Sequence, residues 1–412
     1  MGNLNDFFGF LFLSSEKMNR AETNKKICDA CGTSVVNHRF LLVSSILDDT
    51  MGKIDEVFSK ILKNNKWNNI ASSIEKILHN FLHIIGIVKY NDDIEKASTG
   101  RSKMIWEEAQ RRGILMQQVK VFGKCIDHYR AKINDKFFYF QSLPIPPWFS
   151  QKGYGWLDDK LILAKALTDK GIPAPKTREA KNFKETLKAF KELEKPVIIK
   201  PKLGSRQRHT TTNINTKEEL EYAFNSARLI TNSVVIQEHL YGSVYRATVI
   251  ENKLVGFFRG DPPKVTGDGT KNIKELIQEK NKNHNERLSD ISINDELINF
   301  IKREGYTLES ILSKDKTINL TGKTGRMYGG YTKEMLPEVH PKMHQIFKKA
   351  GGIVSVPVAG FDLIIEDPTK DPDLQKWGII ECNSLPFIDL HYFALEGTPI
   401  NLAINVWNLW NT

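Results

Sequence analysis

Asp362, Glu381 and Asn383 form the pattern in this chain with the most chemical potential. Asp362 stands in the apolar run Gly360-Phe361-Asp362-Leu363-Ile364-Ile365, and the other two stand in Gly378-Ile379-Ile380-Glu381-Cys382-Asn383. Both runs have the length and apolar content of strands. Strand side chains alternate, so Glu381 and Asn383 share a face while Cys382 points away. If the runs pair as a hairpin, Asp362 joins them. Three hard oxygen donors without thiol or imidazole suit magnesium, which keeps positions for water and phosphate oxygens. The plainer alternative is a strand pair whose polar face meets water.

The chain that must position these groups has 412 residues, enough for two or three domains. Its 40% hydrophobic and 26% charged residues are an ordinary globular mixture. No stretch approaches the roughly 18 apolar residues of a membrane span. The run Phe7 to Leu13 lacks the basic flank and cleavage site of a signal peptide. The net charge of +10 favours anionic partners. Its lysines are dispersed, however, with no long basic block and no paired zinc-finger spacing, so nucleic acid is not the expected partner. Four cysteines, Cys28, Cys31, Cys125 and Cys382, suit a reducing compartment, and the expected location is cytoplasmic. Cys28 and Cys31 have CxxC spacing but no second pair to complete a zinc site.

Organisation sharpens along the chain. Residues 1–95 read as a mainly helical region of unknown role, with helix-like spacing over 54–62 and 70–88. Residues 96–150 form a small α/β unit: a helix over 104–112 closed by Gly113, a strand over 114–122, and a hairpin turning at Asn134-Asp135. Leu157 to Lys170 predicts a helix stopped by Gly171 and Pro173, and Asn182 caps the next. Pro196 to Pro201 reads as a buried strand ending in Lys200. Thr216 and Glu219 make a capping box. Val234 to Glu238 is another strand, and Tyr245–Ile250 and Leu254–Phe258 flank a turn at Asn252-Lys253. The expected division is 151–243 and 244–412, the second part holding the metal group.

From Trp156 onward the chain resembles the ATP-grasp superfamily. The segments that carry this resemblance occur in the family's order: Asp159-Lys160, Gly171-Ile172-Pro173-Ala174-Pro175, Val197 to Pro201, Gln237-Glu238-His239-Leu240-Tyr241-Gly242 with Tyr245-Arg246, Val265 to Gly269, Gly329-Gly330, His340-Pro341, the Asp362 strand, Glu381-Cys382-Asn383 and Pro386, with His391 beyond. The similarity is greatest to the branch of cyanophycin synthetase and the ligase half of bifunctional glutathione synthetases, with D-alanine–D-alanine ligase more distant. It implies an α/β (α+β) ATP-grasp fold, two α/β subdomains clasping ATP.

The implied activity is an ADP-forming carboxylate–amine ligase working through an acyl phosphate on amino acids or peptides, with no membrane partner. Relatives are often dimers or tetramers, which leaves a homo-oligomer open. Asp362, Glu381 and Asn383 would hold Mg2+, with Mn2+ as the alternative ion. Lys160 and Lys200 would contact ATP phosphates, and Gln237, Glu238, His239 and Leu240 would line the adenine slot. Arg246 would meet a phosphate or the substrate carboxylate. His391 either faces the acceptor site or is a satisfied core histidine, just as Lys200 could be an exposed strand end and Glu238 an edge-strand charge.

The resemblance also fails in places. Relatives carry a glycine-rich loop after the lysine strand; here it reads Leu203-Gly204-Ser205-Arg206-Gln207-Arg208-His209-Thr210. Arg206 and Arg208 would have to clamp phosphate by charge. Val244 stands where relatives have a ribose-binding glutamate. The alternative is therefore a degenerate domain that binds nucleotide or peptide without turnover. Tyr328, Tyr331 and Lys333 are candidates for an acceptor loop.

Overall fold

The computed structural model of the chain describes residues 88–149, 155–202 and 209–411, with 38, 39 and 41–43. The expected helices over 54–62 and nearly all of 70–88, the Cys28/Cys31 pair, Arg206 and Arg208 lie outside the described residues. The chain divides into two units, one built from residues flanking 155–402 and the other from 155–402 with a short preceding segment.

In the first unit, β1 (Val88–Asn91), β2 (Met116–Val121), β3 (Lys124–Ile133) and β4 (Lys136–Gln141) form an antiparallel sheet in that order. Asn134 and Asp135 both take positive φ, the turn geometry expected of this dipeptide. The helix Gly100–Arg111 begins under a Thr99 cap and contributes Met104, Ile105, Trp106 and Ala109 to the core. Two features of this unit depart from the expected boundaries. Its sheet starts at Val88 rather than after 96, and residues 403–411 belong to it. Indole hydrogen bonds explain the second: Trp407 Nε1 donates to the Ile105 carbonyl at 2.9 Å and Trp410 Nε1 to that of Pro144 at 2.7 Å. Arg112 closes the contact by donating to the Ile404 carbonyl and to Asn408 Oδ1.

The second unit holds β5 (Thr177–Ala180), β6 (Val197–Pro201), β7 (Thr211–Ile214) and β8 (Val234–Glu238) in the order β5-β8-β6-β7. The helices Phe183–Glu192 and Lys217–Arg228 cover one face through Phe190, Leu220, Ala223 and Ala227. Asn182 and Thr216 cap them as expected. A five-stranded sheet follows. It contains β9 (Ser243–Ile250) and β10 (Lys253–Gly260), while β11 (Lys264–Thr266) and β12 (Thr317–Asn319) pair separately. With β13 (Thr332–Glu334), β14 (Val358–Ile365) and β15 (Gly378–Asn383) the order is β13-β10-β9-β14-β15. The turn between β9 and β10 lies one residue earlier than expected, because Glu251 and Asn252 take the left-handed conformations. The helix Pro341–Val354 packs one face of this sheet, Phe347 meeting Phe257 and Phe361. The small β11-β12 pair carries the helices Ile273–Asn283 and Asp295–Arg303 around its own core.

Trp407→Ala removes a fully buried indole, so it should destabilise the first unit by about 3–5 kcal/mol. Denaturant unfolding followed by circular dichroism measures this, and a midpoint unchanged from the parent would refute the role given to residues 403–411.

Candidate active site

The strand register brings the expected groups together. Asp362 on β14 lies opposite Arg246 of β9 on one side and Glu381 of β15 on the other. Asn383 lies opposite Gly360, so all four side chains share the face turned away from the helix Pro341–Val354. A bulge in β15 between the partners of Asp362 and Leu363 puts Glu381 in line. Bulges re-aim side chains in this way.

Arg246 grips Asp362 through two bonds, Nε to Oδ1 at 2.5 Å and Nη2 to Oδ2 at 3.0 Å. A bidentate pair of this kind is rigid as well as strong. Burial pushes the Asp362 carboxyl upward; Arg246 opposes this and the charge of Glu381 adds to it. Gly360 makes the approach sterically feasible: a Cβ there would lie 2.5 Å from Pro386 and 2.8 Å from Arg246 Nη1. That Nη1 is buried without a hydrogen-bond partner among the described residues.

The other sheet supplies cations. Lys200 stands one residue before the end of β6 and is only 9% exposed, and Lys160 opens the helix Lys160–Thr168 only 8% exposed. Burial, then the like charge of Lys160, pushes the Lys200 ammonium down to about 7, with Glu381 opposing. Lys200 therefore lies in Coulomb range of Glu381 on β15. It donates to Gln237 Oε1 at 2.8 Å, and Gln237 Nε2 donates to Thr177 Oγ1 at 2.7 Å, fixing the amide. Lys202, two residues on, is drawn to Asp159 and Glu179.

The segment 237–240 continues from β8. Glu238 accepts from the Lys176 backbone N–H and pairs with its ammonium at 3.5 Å. His239 Nδ1 is buried with no partner among the described residues, and burial lowers its pKa. Leu240 packs beside Gly378 at the start of β15. The Ile379 N–H donates to the Pro173 carbonyl at 2.9 Å, so the Gly171-to-Pro175 segment joins the two sheets.

His391 is where the structure corrects the catalytic expectation. It is fully buried over Gly256, whose added Cβ would strike the ring. One ring nitrogen bonds Thr248 Oγ1 at 2.7 Å and the other Glu334 Oε2 at 2.5 Å. With both nitrogens engaged and no exposed edge, it is a core histidine. Sequence reading missed Thr248 and Glu334, because a lone polar residue in a short strand carries no periodic signal. It also missed the Gly360 cradle.

Two carboxylates, one amide and two close lysines are a donor set for a divalent cation and a polyphosphate. Unpartnered Arg246 Nη1 and His239 Nδ1 fit an incoming anion and a hydrogen-bonding base. Among the described residues no three His, Cys, Asp or Glu side chains cluster for a metal, so Asn383 and ligand oxygens would complete any shell.

Comparison with known proteins agrees with the motif resemblance, although no family model matches the chain. It is 29% identical over 260 residues to the cyanophycin synthetase of Synechocystis sp., covering 61% of this chain and 30% of that protein. It is 27% identical over 263 residues to the bifunctional glutathione biosynthesis protein of Mannheimia succiniciproducens, covering 61% and 35%. The chain thus spans about a third of the length of these relatives. Its fold matches the crystal structure of a bifunctional glutathione synthetase from Pasteurella multocida with a TM-score of 0.52 at 23% identity, over 76% of this chain and 44% of that one. Among the described residues no helix is long and apolar enough to cross a membrane.

The depressed Lys200 pKa predicts a pH effect. From about pH 7 to its ordinary value near 10.5, the unfolded chain holds the proton and the folded chain has lost it. Stability contributed by this group therefore rises with pH through that window and is lost as pH falls toward 7. Urea midpoints from pH 7 to 9.5 should climb more steeply in the parent than in Lys200→Met; parallel profiles would contradict the burial of the ammonium.

Proposed function

We propose that this chain, which has the ATP-grasp fold and is related to the cyanophycin synthetases and bifunctional glutathione biosynthesis proteins, is an ADP-forming carboxylate–amine ligase. The observation that carries the reading is Asp362 flanked in register by Arg246 and Glu381, with Glu381 itself within electrostatic reach of the buried Lys200. Its substrates are amino acids or a peptide, and its setting is the cytoplasm.

Phosphoryl transfer asks a protein for positioning and charge neutralisation more than covalent help. Asp362, Glu381 and Asn383 would hold Mg2+, or Mn2+ in its place, which would supply neutralisation of phosphate charge. Lys160, from the start of its helix, and Lys200, from the β5-β8-β6-β7 sheet, meet the phosphate anion. That contact returns Lys200 to its charged form, because the anion offsets the desolvation that depresses it. Gln237, locked by Lys200 and Thr177, presents its remaining amide hydrogen and lone pair to the base, alongside Glu238, His239 and Leu240. Arg246 Nη1 faces the substrate carboxylate or its phosphorylated form, while Nε and Nη2 stay on Asp362. The carboxylate oxygen attacks the γ-phosphorus as ADP leaves, and the amine then attacks the carbonyl carbon of the acyl phosphate, losing a proton as inorganic phosphate departs.

A second reading has its own support. The bidentate grip of Arg246 neutralises Asp362 and competes with a cation, which suits binding without turnover.

A screen of ADP release over amino acids and short peptides tests both readings. Asp362→Ala should lower the rate by about a hundredfold or more, since it removes charge stabilisation specific to the transferring group. Absence of ADP with every pair, alongside calorimetric binding of Mg-ATP, would replace the ligase with the non-turnover reading.

A further inference from the structure

Two histidines from segments far apart in the chain meet just before β7. The rings of His38 and His209 have centres 5.1 Å apart, with planes at 84°. His209 is 1% exposed and ends the stretch Leu203 to His209, which stands where relatives carry their glycine-rich loop. Its backbone takes a left-handed φ of 52°, which persists in a non-glycine residue when its surroundings hold it there. His209 Nδ1 lies 2.7 Å from the Ser226 carbonyl, in the last turn of the helix Lys217–Arg228. A carbonyl only accepts, so Nδ1 carries the proton and Nε2 carries a lone pair. A metal-bound imidazole has this arrangement, its outer nitrogen donating to a carbonyl or carboxylate. Burial lowers the His38 pKa, which favours the neutral ring a metal requires.

Two imidazoles bound tetrahedrally, at Zn–N distances of about 2.0–2.1 Å, place their ring centres roughly 5 Å apart. Edge-on ring packing alone reaches the same separation, so the neighbouring sequence decides. His38 closes a C-x2-C-x6-H pattern with Cys28 and Cys31. The two cysteines lie outside the described residues, but their segment Ile27–Ile46 belongs to the same unit as His209. The histidines thus supply what the CxxC pair lacks in the sequence. Two thiolates and two imidazoles make the closed shell of structural zinc, whereas magnesium takes oxygen donors.

We propose that His38 and His209, with the thiolates of Cys28 and Cys31, hold a structural Zn2+ ion. It shares no residue with the Asp362 group, and it stands whether or not the chain consumes ATP. Four protein ligands leave no open position for a substrate. The ion's task is to pin the segment Ile27–Ile46 beside β7 and so to fix one end of the loop that follows Lys200.

Metal analysis of the full chain, purified under reducing conditions without chelator, should find about one zinc per chain. Co2+ exchanged into the stripped chain should show the visible bands of a tetrahedral centre together with a thiolate charge-transfer band. Cys31→Ser and His209→Asn should each weaken Zn2+ binding by about a hundredfold or more, measured against a competing chelator. Cys31→Ser leaves the buried His209 in place, so the test holds even if His209→Asn does not fold. The zinc content of Asp362→Ala should equal that of the parent. A parent without zinc whose reduced, stripped form takes up no added Zn2+ would overturn the proposal. So would zinc binding unchanged in Cys31→Ser, an octahedral cobalt spectrum, or zinc lost in Asp362→Ala.

Discussion

A carboxylate buried in a sheet needs a cation, and the second unit is arranged around that need at Asp362. Arg246 meets it from the neighbouring strand with two parallel hydrogen bonds. The pairing constrains much else. A one-residue slip of β9 against β14 would strand both charges, so the register of the two central strands is tied to the ion pair. Gly360 must remain without a side chain because the guanidinium and Pro386 press on it. The bulge in β15 then determines which residue stands across from Asp362, and it places Glu381 there.

The second sheet answers with charge of the opposite sign. Two lysines held close together in a dry setting are unfavourable in isolation. They become intelligible once the pair is regarded as half of a site whose other half is an anion. Lys200 rests on a neutral amide, Gln237, which keeps the ammonium oriented without quenching it. Lys202 is neutralised by Asp159 and Glu179 and so is not part of that pair. The contrast between neighbours two residues apart shows that position on the strand, more than residue type, decides which lysine stays available.

The amino-acid pattern revealed most of this frame and part of the site. Alternation foretold that Glu381 and Asn383 would share a face, Asp362 joins them through the pairing of the two runs, and the caps at Asn182 and Thr216 foretold two helix starts. Turn residues placed one hairpin correctly and another within one residue, because Glu251 takes a left-handed conformation that side-chain preference would not assign to it. His391 was ambiguous by nature. A histidine just beyond the Glu381 strand looks the same in sequence whether it faces a ligand or, as here, Thr248 and Glu334 in the interior. Those two partners come from strands remote in the chain and leave no local trace. The join between 403–411 and the helix Gly100–Arg111 was invisible for the same reason, since it depends on two indole hydrogen bonds across roughly 300 residues.

That join also orders biosynthesis. The sheet β1 to β4 leaves the ribosome early, yet Trp407 and Trp410, which seal it, are translated after the whole of 155–402. Domains generally fold as they emerge, so the unit 155–402 can be complete while its predecessor still lacks its last layer. Apolar surface on that waiting sheet stays uncovered for the time needed to translate some 250 residues, about 12 to 50 seconds at ordinary elongation rates. The nascent chain is therefore most vulnerable to aggregation at the sheet β1 to β4, and a chaperone that shields it would act there while residues 155–402 are still being made.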